Sequence, residues 1–320
     1  MNTKPILIVA GEPNSIFLEI FFKTLKKNNF KKPIIIIVSK KLLFRQMKKL
    51  KFNFKINNIE LDNLKHDLNN QSINLINVNY NFKKTFDKIS SKSNKYISEC
   101  FKIALKLLKE KKVTGLINGP ISKKKFLKKK FPGITEYLAS KTLKDKNIAM
   151  LIYNKKLSVS PLTTHLPLKE VHKHITKTKI INQVKLIREF YIKQFKKDPK
   201  IAITGLNPHC ESNYKSSEEK NIIKPAIKYL IKKRYKVKGP YPADTIFMQN
   251  QSKKFNVIVG MFHDQVLTPI KTIFGFNAIN ITLGLPFIRI SPDHGPNISM
   301  LGKNKSDPTS LLEALKFLDK

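Results

Sequence analysis

Tryptophan is absent from this 320-residue chain, cysteine occurs twice, and glycine only 11 times. Cys100 and Cys210 lie far apart, which is neither a disulfide framework nor a zinc-finger spacing, so they read as reduced thiols. No apolar run approaches the roughly 20 residues that a membrane helix needs. The opening MNTKPILIVAGEP has one short apolar stretch, Pro5 to Ala10, and no cleavage pattern, so no secretory leader is expected. These absences lead to the expectation of a cytoplasmic protein with no membrane partner. Motifs are missing too. There is no G-x-G-x-x-G after a strand, no Walker loop, no H-E-x-x-H and no G-x-S-x-G. A nicotinamide cofactor, if used, must be held by something other than a Rossmann fingerprint.

Acidic residues are also scarce, 22 against 62 basic ones, for a net charge of +40. A basic excess of this size ordinarily suggests nucleic acid or an anionic membrane. Here the lysines are spread along the whole chain, with no aromatics interleaved on one face. Lys, Asn, Ile and Phe are all abundant, as an AT-rich coding sequence favours. Compositional drift is therefore the simpler reading, and no nucleic-acid partner is expected. The field would still draw in anionic substrates. The densest run, Lys123 to Lys130, reads as a solvated helix face.

What is present suits a folded α/β protein. Hydrophobic residues make up 41% of the chain, enough for a core, and the length fits one large or two medium domains. Strands are expected at 5–10, 33–38, 113–117, 148–153, 157–162, 200–204, 257–261 and 278–282. Several are unbroken apolar runs such as PIIIIV, which suits strands buried on both faces. Helices are expected at 14–27, 88–110, 178–196, 218–233 and 308–318, the last with Asp307 as its cap. This alternation predicts a largely parallel sheet.

Three histidines share a setting. His165 ends LSVSPLTTH, His209 follows IAITGLNP, and His263 follows VIVGMF. Carboxyl ends of parallel strands gather along one edge, where ligands bind. Three imidazoles there would form an open divalent-metal site. Asp264, next to His263, and Asp244, in GPYPAD, are candidates to orient an imidazole or act as acid or base. For Asp244 a helix cap is the plainer alternative. Asp293 and His294, in SPDHG, sit in a turn-like loop. Lys271, Asn280 and Arg289 are candidate anion binders. Arg289 stands out because it lies inside the apolar run LPFIRI, where an idle charge is costly. The backbone of Gly11–Pro13, and the segment from Asn118 to Lys125, are further anion candidates.

At this point the motifs TTHLPL, GLNPH, GPYPADTIF, MFHDQ, NITLGLPFIR and DHG, in this order over essentially the whole chain, resemble the 4-hydroxythreonine-4-phosphate dehydrogenase family of pyridoxal phosphate biosynthesis. The resemblance implies a two-domain isocitrate/isopropylmalate dehydrogenase-like α/β fold with the active site in the interdomain cleft. The first domain would comprise 1–120 with 271–320. The second, 121–270, would carry the metal-ligand histidines and the dimer contacts. It implies a homodimer with the site at the interface and ligands drawn from both subunits. It implies NAD and a divalent metal (zinc, or magnesium or cobalt in its place) held by His165, His209 and His263. Substrate, a small phosphorylated hydroxy-amino acid, would meet Thr135, Lys271, Asn280 and Arg289. Asp244, Asp264 and Lys271 would be catalytic, and Asp293, His294 and Gly295 would face the cofactor.

The implied reaction is NAD-dependent oxidation and decarboxylation of 4-phosphooxy-L-threonine to 3-amino-2-oxopropyl phosphate. The alternative is a metal-dependent dehydrogenase of the same fold acting on a different phosphorylated or carboxylated hydroxy acid. Three departures from the family pattern bear on that choice. Ile134 stands where a substrate-binding His is usual, the first loop reads GEPNSIFLE for GEPAGIGPE, and PNISMLGKN replaces T-A-x-x-x-A-G-K-G.

Overall fold

A computed structural model describes residues 4–61, 64, 68–127, 130–131, 133–143, 147–210, 215–292 and 294–320. Twelve strands lie among them. They are β1 (Ile6–Val9), β2 (Ile34–Val38), β3 (Ile56–Asn58), β4 (Ile73–Asn77), β5 (Leu116–Asn118), β6 (Ala149–Tyr153), β7 (Ser158–Thr163), β8 (Ile201–Thr204), β9 (Val237–Tyr241), β10 (Val257–Phe262), β11 (Ile279–Leu283) and β12 (Arg289–Pro292). The chain divides into two compact units, 1–142 with 286–320, and 143–285.

The first unit holds strands in the order β3-β4-β2-β1-β5-β12, with every pairing parallel. The central strands β1, ILIV, and β2, IIIIV, are buried at every residue. Unbroken branched apolar sequence is what a strand covered on both faces requires. Helix 94–109 packs against β1 and β2. It supplies Ile97, Phe101, Ala104, Leu107 and Leu108 to a core shared with Leu7, Val9, Ile35 and Ile37. Helix 17–27 packs on helices 40–49 and 309–318. The cap expected at Asp307 is present as a bond: its carboxylate accepts the Thr309 N–H at 2.8 Å.

The second unit orders its strands β11-β6-β7-β10-β8-β9. β7, β10, β8 and β9 are parallel, while β6 runs antiparallel to both β7 and β11. Helix 263–274 covers β7 and β10, burying Val266, Leu267 and Ile270 against Val159, Ala202 and Ile258. The α/β, largely parallel fold is thus as expected.

Several elements differ from the sequence reading. Strands β3, β4 and β9 and helices 40–49, 134–142 and 263–274 were not anticipated. β3 and β4 read INN and INLIN, where asparagine masks the apolar period. Helix 263–274 carries Pro269 inside it, which normally argues against a helix. The unit boundaries fall at 142/143 and 285/286, where the sequence suggested 120/121 and 270/271. Leu138 of helix 134–142 is packed into the first unit's core, and β11 pairs along its whole length with β6.

Candidate active site

In the second unit, β7, β10 and β8 are parallel neighbours, and each leads towards one of the candidate histidines. His263 directly follows β10 and opens helix 263–274. Its ring centroid lies 6.0 Å from that of His165, the planes tilted by 35°. The Asp264 carboxylate is 2.6 Å from His263 Nδ1. In the tautomer that donates its Nδ1 proton to Asp264, Nε2 carries the lone pair, which is the form a metal ligand needs.

His165 and His209 share a backbone peculiarity, φ of 53° and 56°. Left-handed residues elsewhere in the chain, such as Lys51, Lys111, Lys196 and Arg234, simply follow helices. His165 and His209 instead follow strands, in turns that the surrounding structure must enforce. Among the described residues, no three His, Cys, Asp or Glu side chains form a group that could hold a metal ion. The sequence thus brings His165 and His263 together within one chain, without closing a three-donor set that includes His209.

The turn carrying His209 is built around a carboxylate. Glu219, 1% exposed, accepts the backbone N–H groups of Leu206 and Asn207 at 2.7 and 2.8 Å. It also accepts from the Asn207 side chain at 2.9 Å and the Ser217 hydroxyl at 2.9 Å. Burial alone would raise this carboxyl; the donors from Asn207 and Ser217 outweigh it and hold it at about 2. Gln265 ties β10 to the end of β8. Its Oε1 accepts from Met261 N–H at 2.7 Å and Thr204 Oγ1 at 2.9 Å, and its Nε2 donates to the Gly205 carbonyl at 2.8 Å. On the other side, Thr163 Oγ1 donates to the Met261 carbonyl at 2.8 Å.

The other candidates of this unit are more open. Asp264 and Lys271 are exposed on helix 263–274, and Asn280 is half-buried in β11 opposite Ile152. Asp244 is exposed in a run of turns and caps no helix. It acts on the thiol beside His209: Cys210 is pushed up first by burial, then by the Glu219 and Asp244 charges.

The first unit holds the anion candidates. Arg289, at the start of β12, is 1% exposed. Its Nε donates to Asn118 Oδ1 at 2.7 Å and its Nη1 to Thr135 Oγ1 at 3.2 Å. Asn118 ends the neighbouring strand β5, and Thr135 lies in the first turn of helix 134–142. Burial lowers the guanidinium to about 10, against the opposing pull of Glu136. A charge held this deep is the costly arrangement that the sequence had pointed to.

Beside it lies a cavity of about 440 Å³. Its walls include Asn118, Ser122, Lys123, Ile134, Ser291, His294 and Gly295. The His294 ring stands 6.2 Å from that of Phe17. Asp293 lies outside the described residues. The Gly11–Pro13 loop is less suited to an anion than its sequence suggests. Glu12 N–H already donates to the Pro120 carbonyl at 2.8 Å, and the Glu12 carboxyl is itself buried there. That packing needs Gly11, at φ 79°, because a Cβ would strike the Pro120 carbonyl.

Sequence reasoning quoted Gln265 within a motif and assigned it nothing. Its place directly after a candidate ligand and acid pair was the available signal. Glu219 gave no signal, since SSEEK reads as an ordinary exposed charged stretch.

An α/β protein with imidazoles at strand ends of its second unit, and a buried guanidinium beside an amide and a hydroxyl in its first, is the class that these features define. The chain matches the family described as Pyridoxal phosphate biosynthetic protein PdxA over residues 29–318, and it belongs to that family. It is 41% identical, over 98% of its length and 96% of the relative's, to 4-hydroxythreonine-4-phosphate dehydrogenase of Sulfurihydrogenibium sp. strain YO3AOP1. It is 32% identical, over 98% and 97%, to an Oceanobacillus iheyensis protein named for D-threonate 4-phosphate dehydrogenase activity. The solved structure of 4-hydroxythreonine-4-phosphate dehydrogenase from Klebsiella pneumoniae superposes with a TM-score of 0.86 at 27% identity, covering 99% of this chain and 98% of that one.

Proposed function

We propose that this chain is a 4-hydroxythreonine-4-phosphate dehydrogenase of pyridoxal phosphate biosynthesis. It oxidises 4-phosphooxy-L-threonine with NAD and releases carbon dioxide and 3-amino-2-oxopropyl phosphate. It works as a cytoplasmic homodimer in which both subunits contribute to each site. The observation that carries the reading is the pair His165–His263, 6.0 Å apart at neighbouring strand ends, with Asp264 on His263 Nδ1.

The donor set suits a divalent ion. Imidazole favours zinc and its neighbours, and a carboxylate behind one ring is the usual support. His165, His209 and His263 would hold it, with His209 reaching the ion from one subunit or the other. When bound, such an ion lowers the pKa of a hydroxyl and polarises a carbonyl. NAD, when bound, takes the hydride. The remaining chemistry lies in the substrate and the side chains. Oxidation of the 3-hydroxyl puts a carbonyl β to the carboxylate, so the electrons of the breaking carbon–carbon bond have an acceptor.

Arg289 is the best anchor for an anionic group, because its charge acts in a low-dielectric surrounding and its fork is fixed at Nε and Nη1. Thr135 shares that corner, while Lys271 and Asn280 would complete the substrate contacts. Among the carboxylates, Asp264 acts by orienting His263. Asp244 and Lys271 are the groups left to move a proton. His294 and Gly295, on the cavity wall, would face the cofactor together with Asp293.

The test is direct. The purified chain is incubated with 4-phosphooxy-L-threonine, NAD and zinc or magnesium, and NADH absorbance is followed. His209→Asn, which tolerates the left-handed backbone, is expected to abolish metal retention while the chain stays folded. Absence of turnover with metal bound would remove the substrate assignment; full metal retention by His209→Asn would remove the ligand assignment.

A second reading has its own support. Ile134 lines the cavity beside Arg289's corner and can neither hydrogen-bond nor carry charge. Together with the Oceanobacillus relative, it favours a phosphorylated hydroxy acid without the amino group. Side-by-side kcat/KM values for 4-phosphooxy-L-threonine and D-threonate 4-phosphate decide between them.

A further inference from the structure

The parallel ladder between β8 and β10 ends at Ile203 opposite Val259. The ladder on the other side of β10 continues to Phe262 opposite Thr163. Past Val259, therefore, β10 stays bound to β7 while β8 leaves it and turns towards His209. One side chain spans the opening. Gln265 folds back from the first turn of helix 263–274 to join Met261 N–H, the Thr204 hydroxyl and the Gly205 carbonyl. We propose that Gln265 is the positioning residue that fixes both the strand end carrying His263 and the start of the His209 turn, standing in for the ladder rungs lost beyond Val259.

The chemistry asks for this residue type. The position must accept from a backbone N–H and a hydroxyl, and at the same time donate to a carbonyl. An amide does all three. Leucine does none. Glutamate loses the donor and sets a carboxylate oxygen against the Gly205 carbonyl. Gly260 makes the room: a Cβ there would stand 3.1 Å from Gln265 Oε1 and collide with Val266. The Glu219 network does not duplicate the role. Its partners lie at Leu206, Asn207 and Ser217, so it holds the His209 turn to itself and not to β10.

The inference rests on the metal-site reading, and the experiment separates the two. The full chain is titrated with Co²⁺ while its ligand-field bands and its thermal melting are followed. If the parent chain shows no such bands, or His263→Ala keeps them, the metal reading falls and this inference with it. If the parent binds and His263→Ala does not, Gln265→Leu is expected to weaken Co²⁺ about tenfold or more and to shift the bands, with melting still cooperative. A merely structural Gln265 would lower the melting temperature and leave affinity and bands alone. An affinity within about twofold of the parent overturns the proposal. Should Gln265→Leu fail to melt cooperatively, Thr204→Val decides: it removes one partner of Oε1 at near-constant volume, and it is expected to weaken Co²⁺ in the same direction by a smaller factor. An unchanged affinity there overturns the proposal too.

Discussion

Arg289 in the first unit is 1% exposed and is held by two side chains, Asn118 and Thr135. His263 in the second unit keeps 38% of its side chain exposed and is braced by its neighbour Asp264. The first group is shaped by burial, which pulls the guanidinium down to about 10 and would strengthen its hold on any anion brought to it. The second stays accessible; Gln265 ties the end of its strand to Gly205, and Glu219 holds the neighbouring His209 turn. The lesson is that one chain can prepare sites by two routes, and each should fail differently under mutation.

The largest effect is expected at Arg289. Arg289→Met keeps the length and removes the charge. Losing a buried, hydrogen-bonded charge costs about 2–5 kcal/mol of anion binding, which reads as roughly 30-fold or more in kcat/KM. Steady-state kinetics measure it; a change below about threefold would mean that this corner recognises no anion.

Glu219→Gln tests the opposite route. It replaces one acceptor oxygen with a donor facing donors, and is expected to cost about 1–3 kcal/mol in urea unfolding. The pH dependence should change with it. The carboxyl sits at about 2 when folded against 4.5 otherwise, so its contribution is complete above 4.5 and is lost as pH falls towards 2. Glu219→Gln should flatten that acid limb; a limb of unchanged slope would assign it to other carboxylates.

Glu12 offers the reverse sign. It is 2% exposed, with the Asn14 N–H and the Ser93 hydroxyl as donors at 3.5 and 3.3 Å, and burial lifts it to about 6. Between 4.5 and 6 the folded chain keeps a proton that the unfolded chain has lost. Stability therefore falls as pH rises through that window, by roughly 2 kcal/mol. Glu12→Gln should be more stable than the parent at pH 8 and should match it near pH 4.5. Equal melting temperatures at both pH values would show that the carboxyl bears no such cost.

The smallest effect belongs to a feature outside both regions. Asp307→Ala removes the carboxylate at the start of helix 309–318 and should cost about 1 kcal/mol, read as a small drop in melting temperature.

Much of this was legible in the residues alone. Unbroken runs such as IIIIV announce strands covered on both faces, because only such strands can afford no polar side. Histidines following three apolar runs read as strand ends, which β7, β8 and β10 are, and an arginine inside LPFIRI reads as a buried charge, which Arg289 is. Local pattern is sufficient there because burial writes itself into consecutive residues. It could not show that Asn118 and Thr135 grip Arg289, that a surface-looking Glu219 organises the His209 turn, or that Gln265 closes the gap where β8 leaves β10. Those contacts join residues far apart in the chain, and only packing brings them within hydrogen-bonding distance.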